Sequence, residues 1–118
     1  FHEYWLNETN TWIYPHLHKA AERMIELSGR EAEDELEWKA LNQAARELLL
    51  AQSSDWAFIM RTGTMVPYAV RRTRSHLMRF NKLYEDINIG KVDSGWLEKV
   101  EYIDNILPSI NYRAYRTL

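Results

Sequence analysis

Residues 66–87 read VPYAVRRTRSHLMRFNKLYEDI, and in this stretch largely apolar side chains recur at steps of three and four residues. The recurring residues are Val66, Val70, Thr73, Leu77, Phe80, Tyr84 and Ile87. This spacing places them on one face of an α-helix and leaves the arginines on the remaining surface. Pro67 fits within the first turn, where a backbone N–H has no partner inside the helix. We therefore predict a long amphipathic helix whose apolar seam packs against other helices.

Two further helices precede this one in the chain. The first begins close to Pro15 and ends at Ser28-Gly29, because glycine tolerates the left-handed conformation that often follows a helix. The second opens in the acidic run 31–37, since carboxylates are favourable at the positive end of a helix dipole. The predicted buried faces are Leu17, Ala21, Met24 and Leu27 in the first helix, and Leu41, Ala45 and Leu48, widened by Leu49 and Leu50, in the second.

An interruption is predicted where the second helix reaches the polar run 52–55. Ser53, Ser54 and Asp55 are all competent N-caps, so we expect a separate short helix that runs through Met60. The segment Thr62-Gly63-Thr64 then breaks the chain again before the long helix.

A last helix is predicted after the turn-rich loop 88–95, and Pro108 stops it. Its predicted buried side is Trp96, Val100, Ile103 and Leu107. The tail 111–115 has no helical pattern, but its tyrosines indicate docking onto the bundle. The predicted fold is all-α: one domain, residues 1–118, with about four longer helices, one short helix and ordered extended termini.

Composition argues against several classes of protein. The formal net charge of −2 disfavours a nucleic-acid binder, because such proteins are usually basic. No apolar run is long enough to span a bilayer, and no signal-peptide pattern is present. Cysteine is absent, so disulfides and thiolate metal sites are not expected. We expect a cytoplasmic protein, and the start at Phe1, inside an aromatic stretch, leads us to expect a piece of a longer polypeptide.

Residues 5–14, WLNETNTWIY, combine indoles, a tyrosine and carboxamides just before the first helix. Aromatic rings with polar edges suit a ligand that is apolar on its faces and hydrated at its edges, such as a sugar. The alternative is that Trp5, Trp12 and Tyr14 only pack the incoming segment onto a helical core. The sequence around these residues leaves both interpretations open.

Other polar residues offer weaker signals. His16 and His18 point in different directions on a helix, so we expect surface histidines and no metal site. The basic set Arg71, Arg72, Arg74 and Arg79 is expected to be solvated, with some members pairing with the acidic second helix. Asp55 is interpreted as a helix cap, and no acid–nucleophile pair is evident. We therefore predict no catalytic residue, metal or cofactor within this chain.

Two segments resemble glycoside hydrolase family 57. Residues 4–16, YWLNETNTWIYPH, look like its C-terminal signature region. Residues 41–60, LNQAARELLLAQSSDWAFIM, resemble the RELLLAQSSDWPF pattern of its 1,4-α-glucan branching enzymes, with Ala57 where that pattern has proline. His76, Phe80 and the segment 108–112 continue the similarity in order, so the resemblance covers nearly the whole chain.

The resemblance implies a noncatalytic C-terminal helical domain that packs on an N-terminal (β/α)7 barrel of the same polypeptide, where a Glu nucleophile and an Asp acid/base act. By this resemblance, Trp5 and Trp12 are expected to form part of the wall of the α-glucan cleft. Asn10 is expected to hydrogen-bond sugar hydroxyls, and Asp55 and Trp56 to support the wall from behind. Branching is the expected activity of the whole enzyme, and amylase-like hydrolysis or an independent protein-interaction module are the alternatives. The isolated fragment is expected to self-associate through its barrel-facing surface.

Overall fold

Helices form the described part of the chain. The computed structural model describes residues 13–62 and 67–117, with the side chains of 13–53 and 70–116. Helix α1 spans Ile13–Ser28, α2 Glu35–Thr62, α3 Pro67–Ile89 and α4 Ser94–Ile103, and a 3-10 helix follows at Tyr112–Thr117. These ranges contain no β-strand, which confirms the predicted all-α fold with four longer helices.

Helix α1 starts and stops close to the predicted residues. Its buried residues are Ile13, Ala20, Met24, Leu27 and Ser28, so the predicted face is shifted slightly, with Leu17 and Ala21 half-buried. The predicted reason for its end was wrong, because the glycine that takes a positive φ is Gly90, after α3, and not Gly29. The chain leaves α1 instead through a backbone hydrogen bond from the Arg30 amide to the Leu27 carbonyl, 3.0 Å long.

Helix α2 is one continuous helix, so the predicted interruption at 52–56 and the separate short helix are wrong. Gln52 and Ser53 are exposed, and Ala51 beside them is fully buried. A serine on the solvent side of a packed helix costs only about 0.5 kcal/mol relative to alanine, which tertiary packing overrides. The true N-cap is Asp34, whose Oδ1 accepts a 2.8 Å hydrogen bond from the Glu37 amide.

The core lies between α2 and α3, which share the most extensive helix–helix contact, and α1 covers one side of both. Leu41, Ala45 and Leu48 of the predicted α2 face are fully buried. In α3 the predicted seam is confirmed at Thr73, Leu77, Phe80 and Ile87, with Leu83 added and Val70 and Tyr84 half-buried. Among the described residues, no helix is both long and apolar enough to cross a membrane.

Helix α4 ends at Ile103, one turn earlier than predicted. Its buried residues are Leu97 and Val100, whereas Ile103 and Leu107 are exposed, so the predicted face was wrong at its C-terminal end. Pro108 disfavours helical backbone at the preceding residue. Leu107, the residue before it, has a φ of 48°, outside the right-handed helical region.

The C-terminal tail docks onto the bundle, as its tyrosines indicated, but as a 3-10 helix and not in an extended form. Tyr112 is fully buried, and its ring meets that of Trp38 edge-on at a centroid distance of 5.5 Å. The Tyr112 amide donates to Asn42 Oδ1 at 2.9 Å, and its hydroxyl donates to the Arg30 carbonyl at 2.6 Å. These contacts tie the tail to α2 and to the α1–α2 connection.

Candidate functional site

A cluster of ionisable side chains is buried where α2, α3 and the end of α4 meet. It consists of Glu47, His76 and Asp104. His76 Nδ1 lies 2.8 Å from Glu47 Oε1 and 3.6 Å from Asp104 Oδ2. We regard this cluster as the candidate site within the described residues, because buried carboxylates and histidines are uncommon without a specific role.

Local sequence places each member of the cluster. Gln43 and Glu47 are one turn apart on the buried face of α2, and Gln43 Nε2 donates to Glu47 Oε2 at 2.9 Å. His76 lies one turn after Thr73 on the buried face of α3. Asp104 is the C-cap residue of α4, and its amide donates to the Val100 carbonyl at 2.8 Å. The site therefore depends on the correct termination of α4.

Burial dominates the electrostatics of Glu47. The pKa of its carboxyl is raised to about 7, chiefly because burial removes the group from water, and the nearby Asp104 carboxylate acts in the same direction. Hydrogen bonds to His76 and Gln43 act in the opposite direction. Arg79 Nη1 donates to Asp104 Oδ2 at 2.7 Å and balances one of the two negative charges. The carboxyl group of Glu47 thus holds a proton more tightly than that of an exposed glutamate does.

The same three residues offer one ligand atom each within 4.8 Å of one another, an arrangement that a metal ion can use. However, the Asp104 oxygen nearest His76 already accepts from the cationic guanidinium of Arg79. A divalent cation there would stand next to the half-buried positive charge of Arg79, and the two cations would repel each other. The donor set therefore favours a shared proton over a metal ion.

An open groove of about 560 Å³ borders the cluster, and His76 and Asp104 form part of its lining. Arg71 and Arg72 in its wall are exposed, as predicted, and so is Arg74 elsewhere on α3. Arg79 departs from the expected solvated state, because it is half-buried and forms an ion pair with Asp104 after α4.

The loop after α4 is fixed by Arg46 of α2. The Arg46 guanidinium donates to three consecutive carbonyls, those of Ile106 at 2.8 Å, Leu107 at 3.3 Å and Pro108 at 3.4 Å. Its Nη1 also donates to Gln43 Oε1 at 2.8 Å, so the loop and the buried cluster share one hydrogen-bond network. Beyond this loop lies an apolar groove of about 630 Å³, lined by Leu49, Leu107, Ile110 and Tyr115 among others.

A family model described as "1,4-alpha-glucan branching enzyme, C-terminal" matches residues 16–115. The chain belongs to this family. The match runs from the first turn of α1 into the 3-10 helix. It therefore includes the buried cluster and the loop after α4 that Arg46 holds. The family assigned by resemblance to residues 4–16 and 41–60 is thereby confirmed.

Individual relatives agree with the family. The chain is 38% identical over 109 residues to the 1,4-alpha-glucan branching enzyme TK1436 of Thermococcus kodakarensis, a match that covers 88% of the chain and 16% of the relative. The crystal structure of the alpha-amylase AmyC from Thermotoga maritima is similar, with a TM-score of 0.81, 49% identity, and coverage of 93% of the chain and 22% of AmyC. The crystal structure of the GH57-type branching enzyme from Pyrococcus horikoshii is also similar, with a TM-score of 0.75 and 36% identity. This match covers 95% of the chain and 22% of the Pyrococcus enzyme. The chain thus spans only about a fifth of these family members.

The side chains of the site residues predicted from the sequence lie outside the described part of the structure. Trp5, Asn10 and Trp12 lie outside the described residues, so their role remains a prediction. Asp55 and Trp56 belong to the described backbone of α2, but their side chains lie outside the described residues. No helix begins near Asp55, so its predicted capping of a short helix is wrong.

Sequence reasoning missed Glu47 and Asp104, and it noted His76 only as part of the family pattern. A signal for Glu47 was present, because this charged residue directly precedes Leu48 on a face that also carries Ala44 and Ala45. A charged residue at a core position requires a partner, and Gln43 one turn away is a natural one. His16 and His18 are exposed, as predicted.

Proposed function

We propose that this chain is the C-terminal domain of an α-glucan branching enzyme that transfers glucan segments to form α-1,6 branches, and that it packs on the catalytic barrel of its own polypeptide. The observation that carries the proposal is the family match over residues 16–115. The chain corresponds to only 16% of the Thermococcus enzyme and 22% of the Pyrococcus enzyme, which fits a supporting role beside a separate catalytic domain.

The domain would contribute an aromatic wall to the glucan cleft through Trp5 and Trp12. An indole face stacks on the C–H-rich face of a glucose ring and excludes water. Branching requires this exclusion, because a glucan hydroxyl and not water must intercept the glycosyl intermediate. Ile13, directly after Trp12 in the sequence, is fully buried at the start of α1. Asn10, Asp55 and Trp56 are proposed as secondary contributors.

A second candidate is an amylase-like hydrolase, which the 49% identity to AmyC favours. The complete enzyme incubated with amylose distinguishes the two activities. A branching enzyme raises the number of chains released by a debranching enzyme while the number of reducing ends stays nearly constant. A hydrolase raises the number of reducing ends without new branches, and that result would replace our proposal with the second candidate.

A further inference from the structure

The end of α4 and the loop after it form an exposed apolar ridge. It consists of Tyr102, Ile103, Ile106 and Leu107, whose exposed fractions are 82%, 52%, 38% and 51%. Four large apolar residues within six positions is unusual for a surface that faces only water. The side chains do not complete the core, since Leu97 and Val100 supply the buried face of α4.

The backbone of this ridge is held in an unfavourable conformation. Leu107 has a φ of 48°, a region that side-chain-bearing residues rarely adopt. The Arg46 guanidinium fixes this geometry through the Ile106, Leu107 and Pro108 carbonyls. Backbone strain persists where the surroundings impose it, and such sites are often functional. Here the strain places an apolar side chain in solvent, which yields no packing within the described bundle.

The surroundings of the ridge have the composition of a protein interface. Leu107 lines the apolar groove, and Ile103 lines the arginine-bordered groove beside exposed Arg71. The ridge therefore connects two concave surfaces, one apolar and one basic. Stable interfaces combine an apolar centre with a polar rim in which arginine is enriched.

We infer that this ridge is the surface through which the domain docks onto the catalytic domain of its own polypeptide. The inference rests on the proposed function and names the face involved. The Thermotoga and Pyrococcus proteins contain this domain as 22% of their chains, so a large covalently attached surface is available in such enzymes. The docked surface should be apolar where it meets Leu107 and Ile103, and it should carry carboxylates opposite Arg71.

Cysteine labelling in the complete polypeptide tests this inference, since residues 1–118 contain no cysteine. The variants are Tyr102→Cys and Leu107→Cys on the ridge. Ile89→Cys is the matched control, because Ile89 is 64% exposed and ends α3 about 20 Å along the helix from His76, the α3 residue beside Asp104. The rate of maleimide labelling is measured by mass spectrometry of the peptide that carries each cysteine, in native buffer and in denaturant.

We expect the ridge cysteines to react at least about tenfold more slowly than Ile89→Cys in native buffer and equally fast in denaturant, because docking excludes the reagent. Equally fast native labelling of all three cysteines would overturn the inference. Protection that disappears on dilution, together with a halved mass in sedimentation, would assign the ridge to a second copy of the chain and would also overturn it.

The branching assay on the same preparations separates the two proposals. If the enzyme branches glucans but its ridge cysteines are unprotected, the proposed function stands and only the inference about the docking surface is rejected. If the ridge cysteines are protected but the enzyme only hydrolyses glucans, the inference about the docking surface stands and the branching proposal is rejected. Melting temperatures of the three variants, which all alter exposed side chains, verify that each preparation is folded.

Discussion

Replacement of Glu47 with glutamine should alter how stability depends on pH. The wild-type carboxyl is buried between His76, Gln43 and Asp104, and its pKa is raised to about 7 from 4.5. The folded state therefore binds a proton that the unfolded state releases between these two values. The free energy of unfolding falls as pH rises through this range and levels off above it. Glutamine has nearly the same shape but does not titrate, so the variant lacks this fall.

The size of the effect follows from the two pKa values. Each unit of difference corresponds to about 1.36 kcal/mol, so a rise from 4.5 to about 7 gives at most roughly 3 kcal/mol. Glu47 is fully buried, and solvent screening therefore reduces this value little. We expect Glu47→Gln to gain about 2–3 kcal/mol relative to wild type between about pH 4.5 and pH 8.

Urea denaturation followed by far-ultraviolet circular dichroism measures this difference at several pH values. The control is Glu98→Gln, the same chemical change on an exposed residue of α4. Its effect on the free energy of unfolding should remain within about 0.5 kcal/mol of zero at each pH. Parallel stability curves for wild type and Glu47→Gln across the whole range would refute the assignment of a buried proton to Glu47.

Two further predictions concern the cleft and the clamped loop. Trp12→Ala should strongly reduce the branching activity of the complete enzyme and lower its melting temperature only slightly. Leu48→Ala should instead cost about 2–5 kcal/mol of stability through a core cavity, with the residual activity proportional to the folded fraction. Full branching activity in a destabilised Trp12→Ala enzyme would assign that indole to packing. Arg46→Lys should destabilise the domain by about 1–2 kcal/mol, because the three N–H donors of an ammonium group share one nitrogen and do not reproduce the spread guanidinium that contacts three carbonyls and Gln43 Oε1. Hydrogen exchange should then accelerate at the Ile110 amide, which donates to Leu107, and not at the Gly90 amide after α3.

Periodic apolar residues predicted the helices well because packing and pattern agree there. Leu77, Phe80 and Ile87 recur at helical steps, and each is buried in α3. The same reasoning failed at 52–56, since a capping residue signals a helix start only where the preceding backbone is not already helical. Tertiary packing of Ala51 and Leu48 continues α2 through the polar residues. Local preference of a few tenths of a kcal/mol could not reveal this.

The candidate site was harder to predict because its members are distant in sequence. Glu47 and His76 are 29 residues apart, and Arg79 and Asp104 are 25 apart. Only Glu47 carries a signal of burial in its sequence neighbours, and only the packing of α3 and α4 on α2 brings the members together. The end of α4 adds a second difficulty, because helical spacing assigns Ile103 and Leu107 to the core. The buried face of α4 instead runs through Leu97, Val100 and Asp104, which leaves Ile103 exposed, and the helix ends before Leu107.

The buried cluster and the exposed ridge are connected by this same turn. A buried ionic cluster is seldom more stable than apolar packing of equal volume, so stability alone does not account for Glu47, His76 and Asp104. Hydrogen bonds restrict geometry more than apolar contacts do, because each donor needs an acceptor at a defined distance and angle. Asp104 is held by Arg79, and its carbonyl accepts from Gln43. Arg46 holds the carbonyls of Ile106, Leu107 and Pro108. The network thus fixes the position from which the ridge projects, and the proposed docking in one orientation would require that rigidity.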